Sequence, residues 1–161
     1  MATMRSPSVP VSWGELLDKL TILAIKRKRI AAPAARAHVD REYRLLQSIG
    51  AQALVSQEVG RLVERLRQVN ERLWEVEDAI RGQEAAADFG PGFIRLARTV
   101  YKVNDRRAAI KREINALLDS ELVEEKSYAR PDSTAPAPMP GPAMPPGAQV
   151  RGMAGRAGNG R

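Results

Sequence analysis

Two long segments of this chain carry apolar residues at alternating steps of three and four. Each has the same short polar word in its middle, Val-Asn-acid-Arg, at Val69 to Arg72 and at Val103 to Arg106. In the first segment the apolar positions are Val55, Val59, Leu62, Leu66, Val69, Leu73, Val76 and Ile80. In the second the same spacing runs through Phe93, Leu96, Val100, Val103, Arg107, Ile110, Ile114 and Leu117. A helix has about 3.6 residues per turn, so such positions fall on one narrow seam, as in a heptad pattern. Between the segments lie Gly90, Pro91 and Gly92, which continue a helix only at high cost. The spacing therefore predicts two antiparallel helices folded into a hairpin.

Facing residues of a hairpin lie about equally far from the bend, which sets Ile80 near Phe93, Leu73 near Val100 and Val69 near Val103. Asn70 is then expected level with Asn104. Two matches of four residues are too few for a repeat array, which needs several units to bury its core.

The residues one step after each seam position lie about 100° round the helix from the hairpin contact. They are Arg67, Asn70, Trp74, Glu77 and Arg81 on one arm, and Ala97, Tyr101, Asn104, Ala108, Lys111 and Asn115 on the other. Because the arms are antiparallel, both stripes face the same side. The other side, with Arg65, Gln68, Arg72 and Glu75 opposite Arg95, Thr99, Lys102, Arg106 and Glu113, reads as a solvated surface.

The mixed side supplies the candidate residues, Asn70, Trp74, Glu77, Tyr101, Asn104 and Lys111. An opening helix that covers them offers Glu15, Asp18, Lys19 and Thr21 as polar partners, since buried Asn, Glu and Lys must be paired. One reading is a structural polar network that fixes register, as a buried asparagine does in coiled coils. The other is a groove for an anionic or polar ligand, using Arg67, Lys111, Asn70, Asn104 and Tyr101, with Trp74 as a wall. Arg107 occupies a seam position, where its head is expected to snorkel to the rim or meet Glu64 or Glu71.

Ser12-Trp-Gly-Glu15 matches a capping box and predicts a helix start. That helix runs through Trp13, Leu16, Leu20, Leu23, Arg27 and Ile30 until Pro33 stops it. A shorter helix follows, roughly Ala35 to Ile49, with Val39, Leu45, Leu46 and Ile49 apolar. The expected fold is all-α, a helical hairpin with a coiled-coil-like seam packed with an N-terminal helix and a short second helix. Residues 1–11 read as a flexible N-terminus, 12–128 as the helical domain, and 129–161 as a disordered tail rich in Pro, Gly and Ala.

The formal net charge of +7 over 161 residues points at first to nucleic acid. Arg130, Arg151, Arg156 and Arg161 in the tail, against Asp132 alone, account for +3 of it, which leaves +4 for the rest of the chain. There bases and acids are interspersed, as on any solvated bundle. Lys26-Arg-Lys-Arg29 is the one compact basic run and suits the last turn of a helix. With no cysteine and one histidine, His38, thiolate chemistry is excluded, no metal site is indicated and no cofactor is implied. No apolar run reaches the ~20 residues that span a bilayer and no secretory signal is present, so a cytoplasmic protein without membrane insertion is expected.

Four words in order run from Gly14-Glu-Leu-Leu-Asp-Lys-Leu-Thr-Ile-Leu23, through Asn70 to Arg81 and Phe93 to Arg106, to Glu124-Glu-Lys-Ser-Tyr128. Together they resemble a bacterial family of uncharacterised proteins catalogued as a domain of unknown function. The resemblance covers nearly all of Ser12 to Tyr128 and none of the tail, and it implies no activity or catalytic residues. Glu124 to Tyr128 reads as a fraying helix end, the alternative being a flap that returns Lys126 and Tyr128 to the polar face. The leading functional reading is a non-enzymatic module that forms homo-oligomers or docks on a protein partner. The second is a small helical enzyme or binding protein for an anionic metabolite, with Glu77 and Lys111 available for acid-base work. Nucleic-acid binding ranks third.

Overall fold

The hairpin forms, and a third helix lies across only part of it. The structure, a computed structural model, describes residues 4–127; the expected tail lies outside the described residues. Residues through Glu125 make one compact unit, and Lys126 opens another. The helices are α1 (Trp13–Arg29), α2 (Pro33–Gly50), α3 (Gln57–Ala85) and α4 (Pro91–Leu117), with a single 3₁₀ turn at Ala53–Val55 between α2 and α3. No strand occurs among the described residues, and no helix there is long and apolar enough to cross a membrane.

Each boundary has a local cause. The Ser12 hydroxyl accepts the Glu15 N–H at 3.2 Å and caps α1. The Glu15 carboxylate does not complete the capping box, because it is drawn to Lys111 instead. Pro33 stops nothing by itself: α1 ends at Arg29, and the proline sits in the first turn of α2, where its missing N–H costs nothing. The second helix is thereby longer than expected, at 18 residues. Ser56 caps α3 through the Val59 N–H, and Pro91 occupies the first turn of α4 just after Gly90.

The core is built from Leu16, Leu17 and Leu20 of α1, Val59, Leu62 and Leu66 of α3, and Ile110 and Ile114 of α4. Seam residues supply it at both arms, with exceptions at the ends. Val55 precedes α3 and stands exposed, and Leu117 is exposed at the close of α4. On α2, Tyr43 and Leu46 pack against the core while Leu45 and Ile49 face solvent. The packing face is thus turned from the one expected. Gly50 explains part of this, since a Cβ there would stand 2.4 Å from a Leu20 methyl carbon.

At about 1.5 Å per residue, α3 is about 43 Å long and α1 only about 25 Å. Asn115 lies beside Gly14, and Arg29 reaches toward Glu75 at 4.0 Å, so α1 runs parallel to α3 and stops about two-thirds of the way along it. Beyond that level the arm has two helices only. Ile80, Phe93, Leu96 and Val100 are accordingly half-buried, whereas Leu62, Leu66, Ile110 and Ile114 are fully buried under α1.

Candidate functional site

Asp18 lies in the second turn of α1, 1% exposed, on the side turned toward the hairpin. One carboxylate oxygen accepts Asn70 Nδ2 of α3 at 2.8 Å, and both oxygens accept the guanidinium of Arg107 on α4, whose Nε lies 2.9 and 3.0 Å away. Arg107 Nη2 completes a two-pronged pair with the same carboxylate. The second proton of the Asn70 amide goes to Thr21 Oγ1 at 2.8 Å, and that hydroxyl donates to the Asp18 main-chain carbonyl at 2.7 Å. One carboxylate therefore joins α1, α3 and α4. Hydrogen bonding to Asp18, opposed by partial burial, holds the Arg107 guanidinium above its ordinary pKa.

One turn further along α4, the Lys111 side chain reaches two carboxylates, Glu15 of α1 and Glu124 beyond α4. Burial pulls its ammonium pKa down, but the hydrogen bonds with Glu124 and Glu15 outweigh that and leave it raised. Glu124 arrives because the chain reverses at Asp119, whose φ of 46° lies in the left-handed region that Asp tolerates. The Ser120 N–H bonds the Asn115 carbonyl at 2.9 Å, and its hydroxyl accepts the Trp13 N–H at 3.3 Å. These contacts fold residues past α4 onto the start of α1.

A third contact is main-chain. The Gly14 N–H donates to Asn115 Oδ1 at 2.6 Å, and a Cβ on Gly14 would stand 2.6 Å from the Lys111 carbonyl oxygen. Only glycine lets α1 approach α4 this closely. The Asn115 Nδ2 is buried without an acceptor among the described residues.

The sequence-derived candidates divide along the hairpin. Asn70 and Lys111 lie in the buried network, and Asp18, Glu15 and Thr21 of α1 meet them. Lys19 instead pairs outward with Glu42 of α2 at 2.7 Å. Trp74 is half-buried beneath the end of α1, with the Arg29 guanidinium 5.8 Å from its ring centre. Asn104 is half-buried outside the network, Glu77 is exposed, and Tyr101 is 48% exposed.

Asn70 is not matched with Asn104 across the hairpin. The helices end and resume at Ala85 and Pro91, so the bend is centred on Asp88, and Asn70 stands level with the Arg106–Arg107 step. Arg107 neither snorkels nor meets Glu64 or Glu71; both of those carboxylates take Arg67, which is therefore already engaged on its own helix. Residues past α4 do turn back, through Glu124, while Tyr128 lies outside the described residues. Gly14 and Asn115 carried no sequence signal beyond a glycine beside a cap and a place on the polar stripe.

Within this cluster three carboxylates, Glu15, Asp18 and Glu124, face two cations, Arg107 and Lys111, so each cation already holds an acid. Among the described residues no group of three His, Cys, Asp or Glu side chains is placed to hold a metal ion.

Two outcomes follow from this geometry. Replacing Asn70 by Ala removes two buried hydrogen bonds, and urea unfolding is expected to show a loss of about 1–3 kcal/mol, against less than about 0.5 kcal/mol for Asn104→Ala. Lys111 keeps its proton to higher pH in the folded than in the unfolded state. Its contribution is therefore complete below the ordinary lysine value of about 10.4 and is lost as pH rises through the folded value. The stability difference between the wild-type protein and Lys111→Met, followed by denaturant titration, is expected to hold steady near neutrality and shrink above about pH 10.

A family model described as a family of unknown function, DUF6165, matches residues 7–142. No curated protein and no solved structure matches the chain.

Proposed function

The chain belongs to the DUF6165 family, whose function is unknown, and from that premise we propose that it is a non-enzymatic helical interaction module. Its working part is the arm of the hairpin beyond α1, and the occupant of that arm is a second copy of the chain. The observation that carries this reading is the place where α1 stops. The groove it fills continues along α3 and α4 without a third helix. There it presents Ile94, Ala97 and Tyr101, of which Ile94 is 54% and Tyr101 48% exposed, with Trp74 at its edge beneath the end of α1. Large apolar side chains clustered on one uncovered face belong to association surfaces more often than to free ones. Two such arms laid against each other about a two-fold axis present the same stripe to each other, the arrangement of most homodimers.

The charged residues under α1 support this reading from the other side. They pair among themselves and join three helices, which is the work of a structural network. An anionic metabolite at Lys111 requires Glu15 or Glu124 to leave first, so that second reading has less behind it.

Sedimentation equilibrium tests the proposal. The wild-type protein is expected to dimerise with rising concentration, and Ile94→Glu with Tyr101→Glu is expected to leave a monomer of unchanged helicity. A wild-type monomer at every concentration, or a dimer indifferent to both substitutions, contradicts it.

A further inference from the structure

The face of the hairpin turned away from α1 has a chemistry of its own. Helix α4 holds seven basic residues against two acidic ones, Asp105 and Glu113, a net of +5. Arg95, Arg98, Lys102 and Arg106 follow at steps of three, four and four, so they form one stripe about 17 Å long. All four are exposed, and among the described residues none is joined to a carboxylate. On α3 the arrangement differs: Arg67 is held by Glu64 and Glu71, and Arg72 by Glu75 at 3.5 Å. Like charges three and four residues apart on one helix face repel, and one acid in the row would relieve them.

Beside it runs a groove between α3 and α4. Its floor is Val69, Val103, Ala109 and Ile110, and its walls carry Arg65, Arg72 and Arg106. Arg65 leans on Glu113 at 3.0 Å, an exposed pair that an incoming carboxylate can replace. Cationic walls over an apolar floor, in the cleft between two helices, match one kind of occupant. A third helix about 10–12 Å across fits such a cleft, its apolar stripe on the floor and its carboxylates against the walls. Duplex nucleic acid offers phosphates to the walls and nothing to the floor. Of the described helices, the one with an acidic balance, α3, already spends its apolar face within the hairpin.

We infer that this groove is a docking site for an acidic amphipathic helix of another protein. It is separate from the self-association surface on the opposite side of the arm and does not depend on it.

The test uses the full chain and a fluorescein-labelled peptide with Leu at the a and d positions of its heptads and Glu at e and g. A counterpart has Gln for every Glu. Anisotropy titration is expected to show the Glu peptide binding at least about tenfold more tightly than the Gln peptide, with the gap narrowing as salt rises. The combined Arg98→Gln, Lys102→Gln and Arg106→Gln variant is expected to lose that advantage. Ala109→Glu, a single change at the floor, is expected to weaken binding too, so the site stays testable if the triple variant loses helicity. Equal affinity for the two peptides overturns the inference, as does binding indifferent to both variants. Tighter binding of a DNA duplex, or of phosphatidylglycerol vesicles, through the same three cations also overturns it and assigns the stripe to phosphates.

Discussion

A single carboxylate, that of Asp18, sets how three helices meet. It is almost fully buried, and an ionised carboxylate in such a place is tolerable only when its oxygens are satisfied. Asn70 and Arg107 satisfy them from two different helices. Neither partner can be supplied unless α3 and α4 stand in one register and α1 lies in one orientation across them. Apolar contacts among Leu17, Leu66 and Ile114 provide most of the driving force, yet such contacts tolerate a slip along the seam far better than a two-pronged ion pair does. Gly14 and Asn115 fix the same docking a turn away, and Lys111 ties Glu15 and Glu124 over it.

From that docking the division of the hairpin follows. Under α1 the arms are closed on one side, and the polar groups there pair with one another. Past Arg29 there is nothing left of α1 to cover them, so the same stripe of residues changes from buried and paired to open, with Ala97 and Tyr101 on one arm and Glu77 and Arg81 on the other exposed. The two proposed surfaces lie on the two faces of this structure, one apolar where α1 has ended and one basic where no helix was ever laid.

Much of this was legible in the sequence because helical spacing is a strong signal. The seams from Val59 to Ile80 and Phe93 to Ile114, the bend at Gly90-Pro91 and the cap at Ser12 follow from local rules. So does the shared side of Asn70 and Lys111, since it depends only on the antiparallel run of two helices. What failed depended on a count along the chain. Placing the bend at Asp88 shifts the cross-hairpin partner of Asn70 from Asn104 to Arg107, and no local signal fixes that count. The partner of Arg107 is illegible from its own helix because the acid lies 89 residues away in sequence, on α1. Tyr101 and Glu77 sit on the expected stripe but beyond the reach of α1, which is much shorter than the hairpin arms. Glu124 has no periodicity to read, and its place depends on the reversal at Asp119.

The claim that Asp18 and Arg107 hold the helices in register together is open to one direct measurement, a double-mutant cycle in urea with Asp18→Asn, Arg107→Met and the pair combined. The account predicts strong non-additivity, a coupling of about 1–3 kcal/mol, with the double variant losing much less than the two single losses together. Additive losses, with a coupling indistinguishable from zero, would contradict it and leave the register to the apolar seam alone.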